Sequence, residues 1–235
     1  MKIVIAYIEG RPGGAAAEIG LRVLTQCVAE MPRGFFASAR LLTPDHPTNL
    51  PSKLYGTPFD WDRIEKMDLR AYNRFSILDL ADHFETDIDF VMLTQADGFI
   101  INGSKWRDEW LAYDYIGAPW PESEVRRGNR QRYRVGNSGF SMRSKAFIQA
   151  QTLLPPPPAG CVDDIWLCQS NREHVESLQL RYAPVDEAAR FSLELPIPEW
   201  SQRTLDDTFG QHGHRRMRLP ENSVSAPGNQ HATPD

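Results

Sequence analysis

The sequence predicts a single α/β domain with a mixed, mostly parallel sheet flanked by helices. Three observations carry that expectation. Lys2 to Tyr7 (KIVIAY) is a short β-branched apolar run, followed by a helical pattern from about Ala15 to Glu30. Tyr72 to Phe84 places Ile77, Leu80, Ala81 and Phe84 at i, i+3, i+4, i+7, the spacing of one helix face. Phe90 to Thr94 (FVMLT) is a second buried run, bounded by Asp87 and Asp89 before it and Ala96-Asp97-Gly98 after it. Apolar runs of strand length that alternate with helical patterns imply helices packed on a sheet.

The remaining elements follow in order. Leu21, Leu24 and Val28 share one face of the first helix. Phe35 to Ala37 and Leu41-Leu42 are strand candidates, and residues 43–60, with Pro44, Pro47, Pro51 and Pro58, read as loop. Phe99 to Ile101 reads as a short strand, Trp106 to Leu111 as a short helix, and Tyr115 to Ala118 as a strand stopped by Pro119. Gly139 to Arg143 is a strand, and Ser144 suits the N-cap of a helix from about Lys145 to Leu153. Pro155 to Pro158 ends that helix in a stiff connector. Val162 to about Ser177 reads as mostly helical, Leu178 to Ala183 as a strand, and Asp186 to Arg190 as a short helix. The domain is expected to span 1–218. The apolar-poor stretch 219–235 is expected to be a disordered tail.

Composition narrows the function classes. The 235 residues carry 26 Lys+Arg against 31 Asp+Glu, a net charge of -5, which argues against a general nucleic-acid binder. Hydrophobic residues make up 41%, enough for a sizeable core. Cys27, Cys161 and Cys168 cannot all pair and have no C-x-x-C spacing, so neither a disulfide framework nor a zinc site is expected. The first apolar run is too short for a signal peptide, and no run reaches the length of a transmembrane helix. A soluble protein of a reducing cytoplasm is the expectation.

Six segments could carry chemistry, and each also has a plain structural reading. The strand end LTQADG delivers Asp97 to the mouth of a sheet, where a carboxylate suits a hard cation; Asp-Gly is equally a common turn pair. In VGNSGFSMRS, Gly136 and Gly139 flank Asn137 and Ser138, which could read sugar hydroxyls or simply form a tight turn. Asp163-Asp164 before an apolar run could supply a general base or merely favour a helix start. Asp186-Glu187 opens a helix whose plain reading is solvation. His212, in FGQHGHRR, could meet a metal or a pyrophosphate, or be solvated in a basic tail. Arg126 to Arg134 (RRGNRQRYR) could contact phosphate or an anionic membrane surface, but reads first as a solvated loop. There is no GK[ST] after the first strand, no G-x-G-x-x-G, no G-x-S-x-G and no H-E-x-x-H.

In this order the segments resemble one family: bacterial glycosyltransferase-like proteins with the nucleotide-diphospho-sugar transferase (GT-A type) fold, catalogued as a domain of unknown function. The resemblance rests on AYNRF (Ala71 to Phe75), FVMLTQADGFI (Phe90 to Ile100), YDYIGAPW (Tyr113 to Trp120) and VGNSGFSMRS (Val135 to Ser144). It continues through DDIW (Asp163 to Trp166), APVDEAARFSLE (Ala183 to Glu194) and FGQH (Phe209 to His212). It implies transfer of a sugar from a nucleoside-diphosphate donor to a glycan or glycolipid acceptor, in cell-envelope polysaccharide or glycolipid assembly. It also implies a divalent metal, Mn or Mg, at Asp97 and His212. Gln95-Ala96-Asp97 departs from the family's D-x-D by holding one acid. Asp164 matches the acceptor base, and Asp163 stands where the family has Glu. Asn73, Arg74, Gln95, Gly136, Asn137, Ser138, Gly139 and Asp163 are the implied substrate-binding residues. The implied setting is cytoplasmic, with room for peripheral contact at the inner face of the membrane and no transmembrane segment. Two other readings remain open: a nucleotide-sugar or glycan-binding module without turnover, and a sugar-phosphate nucleotidyltransferase. The second is disfavoured because GRPGGAAAE has Arg11 but neither Lys nor Thr.

Overall fold

The computed structural model describes residues 1–10, 15–121, 133–200 and 204–213. The tail expected at 219–235 and most of the basic segment 126–134 lie outside them. The chain runs β1 (Ile3–Ile8), α1 (Ala15–Glu30), β2 (Phe36–Thr43), β3 (Lys53–Leu54), β4 (Thr57–Arg63), α2 (Leu69–Arg74), β5 (Phe90–Thr94), β6 (Gly98–Ile100) and β7 (Tyr115–Gly117). It continues with β8 (Ser141–Ser144), α3 (Lys145–Gln151), α4 (Asp163–Ile165), α5 (Arg172–Ser177), α6 (Val185–Phe191), β9 (Ser192–Leu193) and β10 (Gly210–His212).

Seven strands form one sheet in the order β3-β4-β2-β1-β5-β8-β7. Its centre is parallel: β1 pairs with β2 and β5, and β2 with β4. Its margins are antiparallel, through β3 on β4, β8 on β5 and β7 on β8. All six residues of β1 are buried, which is why it reads as a continuous apolar run and not as an alternation. Ile3, Ile5 and Tyr7 enter one hydrophobic cluster, and Val4, Ala6 and Ile8 another. The sheet therefore has a core on each face.

A second sheet, β6-β10-β9, joins segments far apart in sequence: β10 pairs antiparallel with β6 and parallel with β9. Beside it lies an aromatic cluster. Phe140 stacks on Phe191 at 5.0 Å and 13°, and Trp110 meets Phe191 edge-on at 5.2 Å. Phe209 packs between Trp110 at 5.4 Å and Phe191 at 5.6 Å. Such pairs contribute about 0.5–1.5 kcal/mol each beyond their burial. Through Phe209 they hold the chain that enters β10 against the main body.

The helices follow the sequence reading with local changes. Ser144 caps α3, its hydroxyl accepting from the Phe147 N–H. The helix expected at 72–84 begins three residues earlier, as α2, and continues as a π-turn (Phe75–Asp79) and a 3-10 turn (Leu80–His83). The region 163–177 is likewise α4, a π-turn (Trp166–Ser170) and α5.

Two expectations are corrected. The supposed loop 43–60 contains β3 and enters β4. Pro58 precedes the ladder with β2, which runs from Phe59 to Arg63, so its missing N–H costs no bond there. The expected strand Leu178 to Ala183 does not form: Gln179 sits at φ 64°, which breaks an extended run, and only Tyr182 makes a bridge, to Tyr115.

Candidate functional site

The site gathers at the carboxyl end of the parallel strands, where open α/β sheets bind ligands. β5 ends there and hands over to Gln95 and Asp97. β8 is antiparallel to β5, so its lead-in, residues 136–140, lies at the same end. The short sheet brings β10 alongside β6, so that His212 stands opposite Gly98. β9 runs into Glu194.

A directed chain of hydrogen bonds links these pieces. The Gly139 N–H donates to Asn137 Oδ1 at 3.1 Å, which fixes the orientation of that amide. Asn137 Nδ2 then faces His212 Nδ1 at 2.7 Å as a donor. Nδ1 must accept, so the ring proton is on Nε2, which lies 3.4 Å from Gln95 Oε1. Gln95 Nε2 in turn donates to the Tyr72 hydroxyl at 2.6 Å. Asn137 takes φ 62°, a left-handed conformation that Asn tolerates. Gly139 cannot be larger: a Cβ there would sit 2.1 Å from His212 Nε2 and 2.5 Å from Gln95 Oε1.

Acidic groups surround His212. Asp97 Oδ1 is 3.8 Å from Nε2, and Glu194 Oε1 is 3.5 Å from Nδ1. Burial pulls the imidazole pKa down. The approach of Glu194 and the charges of Glu194, Asp97 and Asp164 push it up, and together they prevail. Asp97 is 58% exposed, and its backbone carbonyl accepts from the Gly213 N–H.

The adjacent aspartates have opposite surroundings. Asp163 is buried, and its two oxygens accept from Ser138 Oγ at 2.8 Å and Ser76 Oγ at 2.7 Å. Fully buried Arg143 lies 3.9 Å from it, its Nη1 donating to Ser76 O and Gln151 Oε1. Asp163 thus ties the Ser138 loop to Ser76. Asp164 has one hydrogen bond among the described residues, from the Ile165 N–H at 2.6 Å. Burial, then the charge of Asp163, drive its carboxyl from 3.8 to about 7. Neither aspartate is the helix cap; Val162 holds that position.

The other expected residues separate. Gln95, Asn137, Gly139, Asp97 and His212 come together in the chain and its acidic surround. Ser138 is tied to Asp163. Gly136 gives its Cα face to the Trp120 ring, which a Cβ would strike at 1.9 Å, so its role is packing. Asn73 is buried, donating to Cys161 O at 3.2 Å and accepting from the Asp163 N–H at 3.4 Å, so both ends of its amide serve the protein. Arg74 pairs with Asp79 at 2.6 Å and lines a groove beside Pro156 to Pro158. In the structure Gly136, Asn73 and Arg74 thus meet protein partners.

A cleft of about 210 Å³ opens beside the polar cluster, lined by Ile8, Glu9, Met67, Leu69, Tyr72 and Asp97 among others. Sequence reasoning passed over Tyr72, Glu194 and Arg143. The first two lie inside AYNRF and FSLE, and Arg143 is a lone cation in the buried strand SMRS.

Comparison with known proteins agrees with this architecture. LgtC, a galactosyltransferase solved as an active-site mutant, superposes with a TM-score of 0.50 at 12% identity, covering 89% of this chain and 86% of that one. A glycosyltransferase involved in the glycosylation of the major capsid of PBCV-1 also gives 0.50 at 12% identity, over 93% of this chain and 95% of that one. The fold is that of the GT-A glycosyltransferases. No curated protein matches the sequence. The family described as "Protein of unknown function (DUF5672)" matches residues 62–212, and the chain belongs to it.

Proposed function

We propose that this DUF5672 protein is a glycosyltransferase that moves a sugar from a nucleoside-diphosphate donor to the hydroxyl of a glycan or glycolipid acceptor. The observation that supports this best is the meeting of Asp97, His212 and Gln95 with the protonatable Asp164, beside a cleft, on a GT-A fold. Cell-envelope polysaccharide or glycolipid assembly in the cytoplasm, at or near the inner membrane face, is the setting we propose. No helix among the described residues is long and apolar enough to cross a membrane.

The donor set suits a hard divalent cation. The Gln95 amide oxygen and an Asp97 carboxylate oxygen lie 3.4 and 3.8 Å from His212 Nε2, which would join them as a ligand once its proton moves to Nδ1, 3.5 Å from Glu194 Oε1. Among the described residues no three His, Cys, Asp or Glu side chains form a metal-binding group, so Gln95 Oε1 is needed as the third donor. Mn or Mg held by Asp97, His212 and Gln95 would supply positive charge against the diphosphate leaving group.

The protein's own groups do the rest. The acceptor hydroxyl oxygen bonds to the sugar's anomeric carbon as the bond from that carbon to the diphosphate oxygen breaks. The hydroxyl proton passes to the Asp164 carboxylate, whose value of about 7 matches work near neutral pH. Asp163, clamped by two serines, keeps Asp164 and the Ser138 loop in register.

The test is a panel of nucleoside-diphosphate sugars, measured for binding with and without manganese and for donor hydrolysis. Binding with turnover supports the transferase. Binding without hydrolysis or transfer supports the alternative, a nucleotide-sugar-binding module, for which the single acid of QAD speaks. Absence of binding to every donor refutes both.

A further inference from the structure

His212 lies between two neighbours that make opposite demands on one ring nitrogen. Asn137 Nδ2 is 2.7 Å from Nδ1 and needs it to accept. Glu194 Oε1 is 3.5 Å from the same atom, and a carboxylate oxygen needs Nδ1 to carry a proton. In the structure Asn137 prevails, because the Gly139 N–H fixes its amide with the nitrogen toward the ring. Glu194 is left short of a donor. Apart from His212, no described residue offers its side chain a hydrogen bond, and its Oε2 is buried with no partner. A carboxylate only 22% exposed and lacking donors is unfavourable.

The other ring nitrogen completes the conflict. With its proton, Nε2 points a donor toward Gln95 Oε1 at 3.4 Å. Without it, three lone-pair atoms stand together: Nε2, Gln95 Oε1 and, 3.8 Å from the nitrogen, Asp97 Oδ1. Such a set repels itself unless a cation lies among its members. The ring thus has two self-consistent states. In one the proton is on Nε2 and Asn137 is satisfied; in the other it is on Nδ1, Glu194 is satisfied and Nε2 can ligate.

We propose that Glu194 is a positioning residue for the cation: it takes the Nδ1 proton that Asn137 otherwise excludes, so the tautomer of His212 couples cation uptake to the Asn137 side chain. This rests on the reading of Asp97, His212 and Gln95 as a cation site in a transferase, and deepens it. The ring stays neutral throughout, one proton leaving Nε2 and one reaching Nδ1 through solvent. The Asn137 backbone is held, its carbonyl accepting from Tyr115 Oη at 3.0 Å, so the side-chain amide is the part that gives way. Loss of its bond to Nδ1 opposes cation binding by the worth of one neutral hydrogen bond, roughly 2- to 12-fold in affinity. A carboxylate that orients a ligating histidine favours binding by about 10- to 100-fold.

The experiment has two readouts at pH 8. Nitrogen NMR shifts of His212 report its tautomer in cation-free protein, and calorimetry reports manganese affinity with and without UDP. Wild type should carry the proton on Nε2. Asn137→Gly, which keeps the left-handed backbone at this position, should shift it toward Nδ1 and bind manganese roughly 2- to 12-fold tighter. Glu194→Leu should keep the proton on Nε2 and bind about 10- to 100-fold weaker. Glu194→Gln, whose amide oxygen can still accept from Nδ1, should recover most of that loss. Melting temperatures check that each variant folds. Equal losses in Glu194→Leu and Glu194→Gln would mean that Glu194 acts through charge alone, and overturn the inference. So would an Asn137→Gly protein that binds manganese more weakly than wild type, or a wild type with its proton already on Nδ1. A wild type that binds no manganese in either condition overturns the inference and the proposed cation together, while sugar-donor binding in chelator leaves the transferase reading standing.

Discussion

Asp164→Asn should make the protein more stable and less active at once. In the wild type the carboxyl is held at about 7, against an ordinary value of 3.8. Because the folded value is raised, its proton is bound more tightly in the folded state than in the unfolded one. The wild type is therefore penalised as pH rises from about 4 to 7, and fully so above 7. A displacement of this size corresponds to about 4 kcal/mol, and loss of the Ile165 N–H bond to the carboxylate offsets part of the gain. The neutral asparagine should raise stability by about 2–4 kcal/mol at pH 8, shrinking to under about 1 kcal/mol near pH 4. Urea denaturation of both proteins at the two pH values measures this. Transfer or donor hydrolysis should fall by at least about a hundredfold, and the wild-type rate should rise with pH through about 7. A role limited to favouring the helix start predicts the opposite pattern, a stability loss of about 0.3–1 kcal/mol with turnover intact. An Asp164→Asn protein no more stable than wild type at pH 8, or one that turns over at the wild-type rate, would refute the reasoning.

Asp163→Asn should instead destabilise by about 3–5 kcal/mol, because Arg143 would be left charged and buried. The same change should lower the Asp164 pKa, moving the pH–rate profile to more acid values. Asp97→Asn should remove most of the gain that manganese gives to nucleoside-diphosphate binding; equal wild-type affinity with manganese and with chelator would take the cation out of the proposal. Gly139→Ala should force His212 and Gln95 apart, since the new methyl falls 2.1 and 2.5 Å from their facing atoms. It should weaken manganese-dependent binding at least as much as Asp97→Asn, measured by the same titration.

The parts of the fold legible in the sequence are those whose signal is local. β1, α1, β5 and the Ser144 cap declare themselves through runs, periodicity or one residue. β4 was hidden because its prolines punctuate the segment, although the last of them lies just outside the ladder with β2. The false strand at 178–183 had the right residue types, and only the φ of Gln179 excludes it. The small sheet was legible only in part: β6 shows in the apolar run Phe99 to Ile101, whereas β10 makes no strand pattern alone and exists because it pairs with β6 and β9. The site divides the same way. Asp97, Asp164 and His212 stood out as chemical groups at element ends. Tyr72 and Glu194 matter through partners far along the chain, and no spacing within AYNRF or FSLE announces that. Arg143 carried a weaker signal, a cation in a strand too short and apolar to expose it.

The neighbouring aspartates show how one buried charge can serve stability and chemistry together. A carboxylate taken from water needs compensation, and Asp163 has it from two hydroxyls and a guanidinium. A fixed negative charge next door is in turn the second cause, after burial, that lifts Asp164 toward neutrality. Were Asp163 solvated, its field would be screened and Asp164 would keep only the part of its shift that burial supplies. Were Asp163 absent, Arg143 would lack its counter-charge and the Ser138 loop its anchor. The network that orders the loop beneath His212 is thus the same one that sets the proton affinity of the proposed base, so no side chain in it can be altered for one property alone.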